Sequence, residues 1–333
     1  MSSADAKSSK LRAGASALSL FSVPLNGLIL RALADGPMRL SDLRREVGGP
    51  AQTTLRGNLA NLIEIGALAK RGRDGRPSVL ENELTLLGRE LLLVGKALEA
   101  WLGKAPDGPI GFESAAAKAA IKALIGGWDS AIVRALAARP LTLTDLDRLI
   151  DVHTYPALER RLAAMRLAGQ IEAYPNGENK RRPYTVSRWL RESIGPLVLA
   201  VRCERRYLAA ETAPIARIDV EAAFLLAAPL VRLPGEASDA FQLAVEAMSN
   251  GMGSGRASGV LLALEAGRVG SCVTKLQPRP ANWVSGPASA WLDAVIERDA
   301  ELLGYGGDQD LGRAIVYSLH DAVFRTEAVR LPA

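Results

Sequence analysis

Ile29-Leu-Arg-Ala-Leu-Ala-Asp-Gly-Pro-Met-Arg-Leu-Ser-Asp-Leu43 returns 103 residues later as Ile132-Val-Arg-Ala-Leu-Ala-Ala-Arg-Pro-Leu-Thr-Leu-Thr-Asp-Leu146. Nine of the fifteen positions are identical, and the register continues without a gap: Leu55 over Leu158, Leu59 over Leu162, Ala60 over Ala163, Gly66 over Gly169. Low-complexity Ala and Leu coincide easily; Pro, Asp and Gly in register do not. The match is an internal repeat, and it organises the first two thirds of the chain.

Each copy spells the same elements. A first helix ends near Gly36-Pro37 or Arg139-Pro140, where proline restricts its neighbour. Ser41 or Thr144 is expected to cap a short second helix, followed by Gly48-Gly49 or Asp151-Val152 as the connection. The third helix has apolar residues at i, i+4 and i+7, Leu55, Leu59 and Leu62 or Leu158, Leu162 and Met165, and closes at Gly66 or Gly169. A hairpin follows each glycine, turning at Asp74-Gly75 and at Asn176-Gly177, pairs suited to a type I′ turn. Three helices and a hairpin read as a winged helix-turn-helix, twice.

Such a fold places the start of its third helix against base edges in the major groove. In the first copy that segment holds Gln52, Thr53, Thr54 and Arg56; in the second, Thr154, Tyr155 and Arg160, with Glu159 between them. Gln pairs with adenine, Arg with guanine and a Thr methyl with thymine, whereas Glu159 accepts from cytosine or is repelled by phosphate. The second helix therefore reads equally as a packing or dimerising element. Lys70, Arg71, Arg73 and Arg76 flank the first turn, and Lys180, Arg181 and Arg182 the second, cations suited to phosphates or the minor groove.

Beyond residue 213 the texture changes. An apolar run over 220–233 ends at Pro234, strands are expected at 259–264 and 269–276, and helices at 288–301 and 310–324. The expected fold class is α+β: a flexible N-terminus over 1–19, two tandem winged helix-turn-helix domains at 20–105 and 112–210, and a C-terminal α+β domain at 214–333. The net charge of +5 is unevenly distributed. Residues 1–213 carry 31 Lys and Arg against 22 Asp and Glu, and residues 214–333 carry 10 against 14, so the front of the chain is the part suited to a polyanion.

The stretches ILRALADGPMRLSDL, LRGNLANLIEIGAL and ELTLLGREL resemble HxlR-type winged-helix regulators, as do GGWDSAIVRALAARPLTLTDL, with Trp128, and LERRLAAMRLAGQIEAY. The resemblance spans roughly residues 20–105 and 120–208. It implies homodimers on palindromic operators, and for two copies in one chain a pseudo-dimer on double-stranded DNA. With no cysteine near either first helix, the thiol sensing of some relatives is not expected. The last stretch, GVLLALEAGRVGSCVTKL through LGYGGDQDLGRAIVYSLHDAVF, resembles sterol-carrier-protein-2 domains over roughly residues 235–325. That resemblance implies a hydrophobic small-molecule effector in an apolar cavity lined by Phe224, Phe241, Met248, Met252, Trp283 and Trp291, each of which reads equally as plain core.

Catalysis has little support. The histidines, His153 and His320, stand in no triad spacing, and the two cysteines, Cys203 and Cys272, read as buried hydrophobes. Gly251-Met-Gly-Ser-Gly255 lacks the strand and helix that a phosphate loop needs. No cofactor and no metal are expected. Lys7, Lys10 and Arg12 precede an uncharged run over 13–30, but Pro24, Asn26 and Gly27 interrupt it and it merges into the repeat, so neither a signal peptide nor a membrane span is expected. The leading expectation is a cytoplasmic, ligand-responsive transcriptional repressor. Two rivals stay open: a winged-helix protein-interaction module, and a small-molecule carrier centred on the C-terminal domain.

Overall fold

A computed structural model describes residues 14–73, 76–127, 130–150, 154–174, 182–208, 215, 217–246 and 258–324. Both hairpin turns, Trp128, His153, Lys180, Arg181, Met248, Met252 and the glycines of 251–255 lie outside the described residues, as do the side chains of Arg73 and Arg76.

The chain opens with α1 (Ala15–Leu20), α2 (Pro24–Ala32), α3 (Leu40–Glu46) and α4 (Gln52–Glu64). The hairpin β1 (Leu68–Arg73) and β2 (Arg76–Leu84) follows, then α5 (Leu86–Leu102) and α6 (Ala115–Gly127). A second run comprises α7 (Ser130–Ala138), α8 (Leu143–Leu149), α9 (Tyr155–Leu167), β3 (Ile171–Ala173) and β4 (Tyr184–Val186). After α10 (Arg188–Glu192), α11 (Ile194–Tyr207) and α12 (Arg217–Ala227) come β5 (Ala240–Val245), β6 (Ser258–Glu265), β7 (Arg268–Val273) and β8 (Trp283–Gly286). The chain closes with α13 (Ala288–Glu297), β9 (Gly304–Gly306) and α14 (Gln309–Phe324), giving a mixed α+β fold. Among the described residues no helix is long and apolar enough to cross a membrane.

These elements form two compact units. The first takes the described residues up to Gly103 together with Ile110–Ile125 and Pro196–Pro214. Its core is built from Leu43, Leu55, Leu62, Leu91 and Leu98, all fully buried. The expectation of a flexible segment through residue 19 is corrected for residues 14–19. Ala17 and Leu18 of α1 are buried, and the carboxylate of Glu204 on α11 accepts from Gly14 N at 2.6 Å and Ala17 N at 2.9 Å. Arg202, itself buried, donates to Glu90 of α5 at 2.8 Å. The N–H groups of a helix start need acceptors, and α11 supplies them.

The second unit takes Lys104–Pro109, Gly126–Gly195 and Ile215–Ala333. Its five-stranded sheet runs β7-β6-β5-β8-β9, with β5 and β8 parallel and the other neighbours antiparallel. The division expected near residue 213 differs here, because α12 packs against α7 and α10 within this unit. Arg191 of α10 donates to the Leu225 carbonyl at 2.7 Å, and Arg134 of α7 pairs with Glu221 of α12. An apolar α12 needs cover on more than its sheet side. The helix expected through residue 301 stops at Glu297, where Arg298 takes a left-handed φ of 60°.

Both runs share their local hydrogen bonding. Gly66 and Gly169 have φ of 78° and 68°, and each ends its helix in a Schellman pair: Ala67 N to Leu62 O with Gly66 N to Ile63 O, and Gln170 N to Met165 O with Gly169 N to Arg166 O. Thr85 and Ser187 then bond back to the glycine carbonyls while accepting from Gly88 N and Leu190 N. Met38 bridges to Asn82 and Leu141 to Tyr184, adding a short third strand to each hairpin. The expected caps are corrected. The N-cap residues are Arg39, whose side chain makes no cap, and Thr142, which forms a capping box with Asp145. Ser41 and Thr144 fall inside their helices because Leu40 and Leu143 already carry helical backbone. Thr142-x-x-Asp145 was the readable signature.

Candidate nucleic-acid interface

The amphipathic face of α4 decides which residues are free. Leu55, Leu59 and Leu62 are buried, and this turns Gln52, Thr53, Thr54 and Arg56 out to solvent. The helix N-cap is Ala51, with no side-chain acceptor, so the first-turn N–H groups have no side-chain cap. Entry to α4 is set by two left-handed glycines, Gly48 at φ 86° and Gly49 at φ 70°. Arg44 holds the same turn twice, its carbonyl accepting from Gly49 N at 2.8 Å and its Nε donating to the Pro50 carbonyl at 2.9 Å. Sequence reasoning missed Arg44, since a side chain-to-carbonyl bond of this kind leaves no spacing signature.

On the adjoining hairpin Lys70 and Arg71 are exposed. Lys70 is paired in register with Asn82 and Arg71 with Glu81, and Arg71 lies 3.6 Å from Glu83. Arg39 approaches Glu81 at 3.8 Å. Strand alternation sends Lys70 and Arg71 to opposite faces, so one hairpin offers cations on both sides. Residues 25–107, which contain this whole constellation, match the family model described as HxlR-like helix-turn-helix. This segment is an HxlR-like helix-turn-helix domain. Two relatives share 37% identity over 75 residues, 22% of this chain: the uncharacterized HTH-type transcriptional regulator YtfH of Escherichia coli (strain K12) and the protein of the same name from Shigella flexneri. The chain spans 60% of the length of each.

In the second unit α9 buries Leu158, Leu162 and Met165 and exposes Thr154, Tyr155, Glu159 and Arg160. Arg160 Nε donates to the Pro156 carbonyl at 3.2 Å, and Arg182 is exposed just ahead of β4. Asp145 is held below the usual carboxylate range by its hydrogen bonds with Thr142. Leu149 and Tyr155, exposed on either side of the α8–α9 connection, have no counterpart in the polar start of α4.

Two aromatic residues of the C-terminal sheet region pack on each other. Phe224 and Trp291 meet edge to face at 4.6 Å, and Trp291 Nε1 donates to the Ala244 carbonyl at 2.8 Å. Phe241 is fully buried beside Gly312, while Trp283 is half-buried against Gly304 and Gly306. His320 Nδ1 lies 2.8 Å from the Val295 carbonyl and its ring tilts over Phe324. Burial pushes the thiols of Cys203 and Cys272 up to about 12, against the opposing pull of Arg202 and Arg191 respectively. Among the described residues no group of three or more His, Cys, Asp or Glu is placed to hold a metal ion.

Proposed function

We propose that this protein is a DNA-binding transcriptional regulator carrying a duplicated winged helix. The observation that carries this reading is the exposed polar start of α4, Gln52, Thr53, Thr54 and Arg56, beside the cationic strand at Lys70 and Arg71. The pairing supplies both halves of DNA recognition, base edges from the helix and phosphates from the wing. The match to the HxlR-like helix-turn-helix family and the names of the two relatives support it. The second copy is supported by the same Schellman pair, bonded-back Ser187 and third-strand bridge.

Footprinting across a salt series, on duplex from upstream of the protein's own coding sequence, tests the reading. A protected site whose affinity falls steeply with salt is the expected result. Absence of any salt-dependent duplex binding overturns it. For α9 alone, the exposed Leu149 and Tyr155 favour protein docking in place of base reading. Tyr155→Ala then leaves the footprint intact, whereas a base-reading α9 loses half of it.

A further inference from the structure

We infer that Gly57 is the close-approach residue of α4, the point where the wall of a DNA major groove comes nearest the helix backbone. This rests on the DNA-binding reading and sharpens it. Gly57 sits in the interior of a 13-residue helix, where glycine lowers helix stability by a factor of about five relative to alanine. A glycine kept there needs a reason.

The other glycines inside helices of the same unit have internal reasons. A Cβ on Gly27 would strike the Phe112 ring, one on Gly88 the Ala67 carbonyl, and one on Gly95 the Phe21 ring at 3.0 Å. A Cβ on Gly57 meets nothing within 4 Å, and Gly57 is absent from the positive-φ glycines. Neither packing nor backbone conformation accounts for it.

Its direction suggests what does. Gly57 lies opposite the buried Leu55, Leu59 and Leu62, with exposed Thr53 one turn before it and exposed Ala60 one turn after. Arg56 stands beside it, exposed. A gap in the middle of the presented face lets the helix sink until Thr53 and Arg56 meet base edges, whereas a side chain there holds the backbone away. In the 103-residue register the corresponding position of α9 is Arg160, which is exposed. The two helices thus present unlike surfaces, and the close approach belongs to α4 alone.

The test uses the full-length protein with Gly57→Ala and Gly57→Leu, read by thermal midpoint and by binding to the footprinted site and to random duplex across a salt series. Both variants are expected to melt higher than wild type. Gly57→Leu should lose roughly tenfold to a hundredfold in affinity for the footprinted site, the worth of one good base contact. Random duplex, held through its phosphates with the helix less deeply seated, should lose less than the footprinted site, and the salt slope should stay the same. Wild-type affinity of Gly57→Leu for the site overturns the inference while leaving the DNA reading intact. Equal losses on both duplexes overturn it as well, since no base contact is then lost, as does a lowered midpoint for Gly57→Ala, which shows an internal role for the glycine. A wild-type protein that protects no duplex overturns the DNA reading, and this inference with it.

Discussion

Arg134 Nε lies 2.8 Å from Glu221 Oε2, an ion pair joining α7 to α12 in which the carboxylate is 2% exposed and the guanidinium side chain 40%. The backbone N–H of Gly259, at the start of β6, also favours the charged carboxylate. Burial raises the Glu221 pKa above its ordinary 4.5, outweighing the lowering by Arg134 and the Gly259 amide. Ionisation is therefore harder in the folded chain than in the unfolded one. The stability this group contributes is complete below pH 4.5 and is lost as pH rises through the raised value. Melting curves across a pH series should show this fall in wild type and a flatter profile in Glu221→Gln. Identical profiles would remove Glu221 as the cause.

Charge on the wing should be separable from base reading on α4. Replacing Lys70 and Arg71 together by Ala should weaken every duplex alike and flatten the slope of log affinity against log salt by up to about two. Arg71 counts for less of that than Lys70, because Glu83 already lies 3.6 Å from it. Arg56→Ala should keep the slope within about one unit and cost roughly 1–3 kcal/mol of discrimination between cognate and random sites. Fluorescence anisotropy titrations measure both. An Arg56→Ala variant with undiminished discrimination would assign base reading elsewhere.

Much of the first run was legible because its signals are local. The 3.6-residue spacing of Leu55, Leu59 and Leu62 and the closing Gly66 depend on neighbours a few residues away, and the structure returns them as read. The strands β6 and β7 were legible for the same reason, and the structure pairs Glu265 with Arg268 across a two-residue turn at Ala266-Gly267. β5 was not. Phe241, Gln242, Leu243, Ala244 and Val245 are all buried, so the strand lacks the alternation that marks a one-sided sheet. The covering of α1 by Glu204 and the packing of α12 on α7 link residues far apart in sequence, and no short window carries them. At the interface, the exposed side chains of α4 followed from its period, while Arg44 and the open space at Gly57 needed coordinates.

The two helix-closing glycines should respond unequally to a methyl group. Gly66→Ala and Gly169→Ala each force alanine into a left-handed conformation, at about 1 kcal/mol. A Cβ on Gly66 enters open space, whereas one on Gly169 comes 3.2 Å from Pro106 Cγ and 3.5 Å from the Trp189 ring. Urea denaturation should therefore rank Gly169→Ala as the more destabilised variant. The reverse order would mean that the ends of the two helices are not held as described.

Arg44 gives the sharpest separation of charge from geometry. Its Nε bond to the Pro50 carbonyl crosses the turn into α4. Gln carries an amide nitrogen at the same number of bonds from the backbone, so Arg44→Gln keeps the donor and drops the charge. Arg44→Met keeps the length and drops both, and Arg44→Lys keeps the charge on a nitrogen of different reach and geometry. If Arg44 positions α4, Gln retains site discrimination close to wild type and Met loses it, a difference of about 1 kcal/mol for one hydrogen bond. If Arg44 instead meets a phosphate, Lys rescues, and Gln and Met fall together with a salt slope flatter by about one. Binding titrations of the three variants on the footprinted site decide between these outcomes. The positioning role is the one expected, because Arg44 grips the turn through its carbonyl as well as its side chain.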